Sequence, residues 1–178
     1  MNKNIIAVFM ALLISFNGVL TAEGDMIGKN APFFKVSSGN DQILTLDMVK
    51  GKIVVIFYET KDVIEKNRQL KDELNKFYSE QSDSLKGSLV RLPIINCSEA
   101  FWPFTSVWKK KLNENSIKEG IMIYGDWEGK MLTVFQFTDK DSNIVIIDKN
   151  CKIRYFASGK INNPQTKEIK DLLIKLME

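Results

Sequence analysis

The sequence predicts an α/β domain built on a central mixed β-sheet with helices on both faces. Three observations predict it. The run Ile53-Val54-Val55-Ile56-Phe57-Tyr58 is unbroken in β-branched and aromatic residues, as a strand buried on both faces requires. An amphipathic helical pattern follows over residues 62–79, with Val63, Leu70, Leu74 and Phe77 separated by charged side chains. A late apolar hairpin and a closing amphipathic helix then complete an alternation of strands and helices, which packs as a sheet covered on both sides.

Residues 1–22 read as a signal peptide. One lysine, Lys3, precedes an apolar stretch from Ile5 to Leu20 interrupted only by Ser15, Asn17 and Gly18. Cleavage is expected near Ala22, with the bond after Gly24 as a competing site. The stretch falls short of the roughly 20 clean apolar residues that a membrane span prefers, although an uncleaved anchor is the alternative. No cysteine follows it to carry a lipid. The expected location is the periplasm of a Gram-negative bacterium, reached by the Sec route, with no membrane span after cleavage. Residues 23–178 are enough for one domain with a real core and too few for two.

In chain order, residues 33–36 and 42–46 predict an N-terminal β-hairpin extension, with Gly39 and Asn40 supplying positive φ in the turn. The buried strand and the helix of residues 62–79 come next. Residues 89–96 predict a second strand, which Pro93 marks as bulged or at an edge. Pro103 predicts the first turn of a helix over residues 103–113, and residues 121–124 a third strand. Residues 129–137 are ambiguous between helix and strand, and a short helix is preferred. Residues 143–147 and 152–157 form a hairpin about the turn 148–151, and Pro164 opens a helix ending near Met177, with Ile169, Leu172, Leu173 and Leu176 on one face.

The 25 basic and 22 acidic residues leave a net charge of +3, interspersed along the chain. A nucleic-acid footprint needs a concentrated basic face, so no nucleic-acid partner is expected. The chain has no histidine, which removes an ordinary zinc site, an imidazole general base and a Ser-His or Cys-His nucleophile. No metal and no cofactor are expected.

Ile27-Gly28-Lys29-Asn30-Ala31-Pro32-Phe33-Phe34, the segment Leu46-Asp47-Met48-Val49-Lys50-Gly51-Lys52 before the buried strand, and Val145-Ile146-Ile147-Asp148-Lys149-Asn150 resemble the thioredoxin-like proteins related to peroxiredoxins and cytochrome-maturation thioredoxins. Glu65-Lys66-Asn67, Ile94-Ile95-Asn96, residues 145–149 and the terminal Asp171-Leu172-Leu173-Ile174-Lys175-Leu176 are similar to segments of the exported YtfJ family, small bacterial proteins of this fold. The resemblance implies a thioredoxin-like fold and brings no biochemical role with it.

It also implies where a redox site would stand. A thioredoxin holds its nucleophilic cysteine at a helix N-terminus just after the first central strand, where the dipole depresses the thiol pKa. The family pattern puts Asp62 and Glu65 at the two cysteine positions and Ser142 at the cis-proline facing them. Carboxylates cannot exchange disulfides, so the expectation is a redox-inactive site. Asp62 and Glu65 have the spacing of a helix capping box; together with Glu59 they are also candidates for a cation or small polar ligand.

Cys97 ends a strand parallel to the first central strand, and Cys151 lies in a hairpin turn at the opposite sheet end. At about 3.3 Å of rise per residue the sulfurs should stand well over 10 Å apart, beyond the Cα reach of about 7 Å that a bridge allows. Both are expected free, Cys97 as a small buried hydrophobe. A thiol-dependent oxidoreductase or peroxidase using Cys97 is the enzymatic alternative, with Lys61 the only candidate to activate it. Trp102, Phe104 and Trp108 either wedge a helix onto the sheet or form an interface. The function expected is a non-catalytic binding or accessory protein of the cell envelope, with an envelope protein as partner.

Overall fold

A computed structural model describes residues 23–178, so the predicted signal peptide lies outside the described residues. In order the chain forms α1 (Glu23–Met26), β1 (Lys35–Ser38), β2 (Ile43–Thr45), a 3-10 turn (Leu46–Val49), β3 (Ile53–Glu59), α2 (Arg68–Ser79), α3 (Asp83–Ser88) and β4 (Leu89–Asn96). It continues with α4 (Thr105–Glu119), β5 (Tyr124–Asp126), α5 (Lys130–Val134), β6 (Asn143–Ile147), β7 (Ile153–Ser158) and α6 (Asn163–Met177). The strands make one sheet in the order β2-β1-β5-β4-β3-β6-β7. β3 lies parallel to β4 and antiparallel to β6, so the sheet is mixed.

Every residue of β3 is buried, because its side chains supply both cores. Val54, Ile56 and Tyr58 face a cluster with Phe34, Met131, Phe135 and Phe156. Ile53, Val55 and Phe57 face the other side, against Leu70 and Leu74 of α2 and Ile169 and Leu173 of α6. This period-two division explains why the sequence shows no apolar-polar alternation there.

Pro93 occupies no bulge, and it stands where β4 is flanked on one side only. It pairs in register with Phe57 inside β4, a central strand. Proline has no N–H for a ladder bond, and the β4-β5 pairing begins one residue later, at Ile94↔Tyr124. The third strand is correspondingly displaced from residues 121–124 to β5. The hairpin turn also differs from expectation, since Asp41 takes the positive φ there and Gly39 does not. Gly39 is needed for a close approach: a Cβ there would stand 2.2 Å from the Lys109 carbonyl oxygen of α4.

α4 runs six residues beyond the predicted helix and stops at Gly120, whose left-handed φ of 62° makes the usual C-terminal cap. α5 and α6 form where expected. Asn162 caps α6 in a reciprocal capping box with Gln165, and Pro164 lies in the first turn.

α2 starts at Arg68, six residues after Asp62. The chain between β3 and α2 is a series of turns, with Val63, Lys66 and Arg68 N–H groups donating three residues back. Asn67 breaks the helix there. Its buried side chain donates to Ser142 Oγ at 2.9 Å and the Gly159 carbonyl at 2.8 Å, and accepts from the Ile161 N–H at 2.9 Å. Those bonds hold its backbone at φ −117°, ψ 31°, outside the helical region.

Candidate functional site

Asp62 and Glu65 are both exposed on the turns after β3, and neither stands at a helix N-terminus. The capping-box reading is therefore corrected: the N-cap position is Asn67, and the first turn of α2 carries no acid. Glu65 is instead gripped by Arg68, which donates from Nη2 at 2.8 Å and from Nε at 3.1 Å. These bonds hold the Glu65 carboxyl below its ordinary range. Arg68 also reaches Glu119 of α4 at 3.0 Å, tying the turn to that helix.

Ser142 is fully buried and faces Glu59 rather than the two exposed acids. Its hydroxyl donates to Glu59 Oε1 at 2.6 Å, while Lys71 of α2 donates to Glu59 Oε2 at 2.6 Å and to the Ile64 carbonyl at 2.6 Å. Burial pushes the Glu59 carboxyl above its usual range, against the opposing pull of Lys71 and Ser142. Asn143 extends the polar network by donating to the Tyr58, Thr138 and Asp141 carbonyls. Among the described residues every buried side-chain nitrogen and oxygen has a partner, so this network is closed on itself.

Sequence reasoning reached Glu59 only as a companion of Asp62, and it missed Asn67, Lys71 and Asn143. A carboxylate ending a doubly buried strand is the signal that could have found Lys71, since such a charge needs a cation. Among the described residues, no group of three or more Cys, Asp or Glu side chains is placed to hold a metal ion.

Cys97 follows β4 at the same sheet end, fully buried, with its N–H donating to the Asp126 carbonyl at 3.0 Å. Burial, with the Asp126 charge adding to it, pushes the thiol pKa up to about 12. A thiolate nucleophile needs the opposite environment. Asp126 is itself occupied, accepting from the Tyr58 hydroxyl at 3.1 Å and the Met131 N–H at 2.8 Å. Cys151 lies at the other sheet end, in the β6-β7 turn, and both cysteines are free.

Trp102 is 86% exposed and Phe104 53%, beside an exposed Phe101 that meets Phe104 edge to face at 5.6 Å. Trp108 is separated from them by burial. It is half-buried, with the Lys61 ammonium 5.3 Å from its ring centre.

Residues 41–176 match the sequence family described as "Bacterial protein of unknown function (YtfJ_HI0045)". No curated protein matches the chain. Among solved structures, the chain is similar to a protein described as the thiol:disulfide interchange protein DsbE from Chlorobium tepidum, with a TM-score of 0.63 at 10% identity over 85% of this chain and 98% of that one. It is also similar to the pneumococcal exposed lipoprotein thioredoxin Etrx1 from Streptococcus pneumoniae, with a TM-score of 0.60 at 16% identity over 82% of this chain and 100% of that one. An uncharacterized conserved protein from Geobacillus kaustophilus aligns with a TM-score of 0.62 at 17% identity, over 85% and 82% of the two chains. At such identities the likeness shows the thioredoxin-like fold and nothing of activity.

Proposed function

The chain belongs to the YtfJ family of bacterial proteins, and we propose that it is a non-catalytic binding or accessory protein of the cell envelope, exported to the periplasm with cleavage near Ala22. The observation that carries this reading is the buried contact between Ser142 and Glu59. The position assigned to a cis-proline is spent on an internal hydrogen bond, and the assigned cysteine positions are exposed carboxylates. The enzymatic alternative rests on Cys97, a buried thiol held in its protonated form. A cation site at Asp62 and Glu65 competes with the two bonds that Glu65 already makes to Arg68.

The same reading assigns partner contact to Trp102 and Phe104, large aromatic side chains on the surface at one sheet end, of the kind that anchors interfaces. No helix among the described residues is long and apolar enough to cross a membrane, which is compatible with a protein released after export.

Insulin reduction and peroxide consumption by the exported protein test the catalytic half. No turnover above background is expected, and turnover that disappears in Cys97→Ser would establish an enzyme instead. A photo-crosslinking side chain placed at Trp102, compared with one at Lys149, tests the binding half in the native envelope. The expected outcome is a discrete adduct from position 102 alone; identical patterns from both positions would remove the partner surface. Amino-terminal sequencing of the envelope fraction is expected to begin at Glu23.

A further inference from the structure

A groove of about 420 Å³ lies between α2 and α4 over β3 and β4. That volume is within the range of about 300–1,000 Å³ of small-molecule sites. Its floor follows from strand alternation. The parallel register sets Val55 and Phe57 of β3 beside Arg91 and Pro93 of β4, all on one face. The β4-β5 ladder starts only at Ile94, so β5 does not flank that part of the floor. Leu74 of α2 and Leu112 of α4 complete an apolar interior.

The charges that line this interior are unbalanced. Five cationic side chains reach it, Lys61, Arg68, Lys71, Arg91 and Lys111, against two carboxylates, Glu59 and Glu119. Both carboxylates are committed, Glu59 to Lys71 and Glu119 to Arg68. Arg91, Lys61 and Lys111 have no carboxylate partner among the described residues. Arg91 is the informative one. It rises from the floor of a central strand, stacks 4.0 Å over the Tyr78 ring, and gives Nη1 to the neutral side-chain oxygen of Asn75. Burial holds its guanidinium below the ordinary arginine range. A half-buried guanidinium in apolar surroundings is costly unless an anion meets it, and arginine forks suit carboxylate and phosphate oxygens.

We propose that this groove binds a single-chain anionic amphiphile, its apolar chain lying on Val55, Phe57 and Pro93 and its head group meeting Arg91 and Lys111. The site is separate from the exposed segment of Trp102 and Phe104, and the proposal does not depend on a protein partner for that segment. Trp108, on the groove wall, supplies a reporter.

Titration calorimetry of the exported protein with dodecanoate, dodecyl phosphate and dodecyltrimethylammonium, each below its micelle concentration, tests the proposal. At least one of the two anions is expected to bind with one site per chain, at least about tenfold more tightly than the cation, with affinity falling as salt rises. Tighter binding of dodecanoate identifies a carboxylate head group, and tighter binding of dodecyl phosphate a phosphate. Arg91→Met is expected to weaken the anion by about tenfold, the effect of one charge-assisted hydrogen bond. Lys111→Glu, on the exposed side of α4, carries the same expectation without touching the floor. Trp108 emission should follow the titration in a background carrying Trp102→Phe and Trp127→Phe, which leaves it the sole tryptophan. Equal affinity for the anionic and cationic chains, no binding of either anion, or unchanged anion affinity in both Arg91→Met and Lys111→Glu overturns the proposal.

Discussion

Ser142 donates to Oε1 of Glu59 at 2.6 Å, joining positions 83 residues apart, and the same hydroxyl oxygen accepts from Asn67 at 2.9 Å. One side chain thus anchors the end of β3 and the start of α2 to the loop before β6. Truncation in Ser142→Ala leaves a carboxylate oxygen and an amide hydrogen short of a partner in a buried site, at a cost of about 1–3 kcal/mol. The exposed Asp62, changed to Asn, should move stability by no more than about 0.5 kcal/mol. Urea unfolding of the two variants checks the order; equal effects would mean that the network is not what holds this end of the fold.

The network has a pH signature. Burial raises the folded-state Glu59 carboxyl above its unfolded value, over the opposing effects of Lys71 and Ser142. The folded chain therefore binds this proton more tightly than the unfolded chain does. Its contribution is fully present below the unfolded carboxylate value of about 4.3, and it is lost as pH rises through the folded value. Glu59→Gln should remove that loss, so that its stability-versus-pH curve lacks the downward step of the parent just above the acid range. Denaturation midpoints measured across that range, with parent and variant in parallel, give the comparison.

Asp148 carries the opposite sign. Burial alone would raise its carboxyl, but bonds from the Lys152 N–H at 2.9 Å, the Arg154 guanidinium at 2.6 Å and the Asn150 N–H at 2.8 Å together outweigh it and lower the value. That stability is present above the unfolded aspartate value of about 3.9 and disappears as pH falls through the folded one. Asp148→Asn is expected to cost about 1–2 kcal/mol at neutral pH, with the gap to the parent closing in acid. A gap that stays constant with pH would assign the loss to turn geometry alone.

Legibility in the sequence followed the range of the interactions. β3 and α6 are visible because their signals are local: an apolar run in one, and in the other Pro164 and a helical apolar period. The start of α2 is not, because Asn67 is held out of the helix by Ser142, Gly159 and Ile161, which lie 75 to 94 residues away. Asp62 and Glu65 look like a cap in a window of four residues, and no local pattern contradicts that. Arg91 stands between Val90 and Leu92 and reads as the solvent-facing member of an alternating strand. Only the separation of α2 from α4 places it on the floor of a groove.

The two thiols should differ sharply in reactivity. Cys97 is fully buried with its pKa pushed up to about 12, whereas Cys151 is half-buried in a turn. Thiolate is the reacting form, and access is required as well. A disulfide reagent at neutral pH should modify Cys151 first, with Cys97 modified at the rate at which the fold opens. Mild denaturant should accelerate the second phase and leave the first almost unchanged. A Cys97 that reacts as fast as Cys151 in the native protein would restore the enzymatic reading.

The N-terminal hairpin and α4 are locked by a contact that no side chain can enter. A Cβ on Gly39 would lie 2.2 Å from the Lys109 carbonyl oxygen and 2.8 Å from the Asn113 nitrogen, both backbone atoms that yield only if the helix moves. Gly39 does not hold a positive φ, so the obstacle in Gly39→Ala is steric overlap and not backbone strain. Overpacking of this kind costs about 1–3 kcal/mol, and relief comes from sliding α4 away from β1. α4 is also a wall of the groove through Trp108 and Leu112, so with Trp102 and Trp127, the latter bonded to Ser37 of the hairpin, both replaced by Phe, Gly39→Ala should change Trp108 emission as well as lowering the unfolding midpoint. Gly87→Ala, inside α3 where an added methyl meets nothing within 4 Å, should leave the emission of the parent and hold or raise the midpoint, since alanine favours the helix over glycine. Matching behaviour of the two variants would show that the hairpin does not set the position of α4.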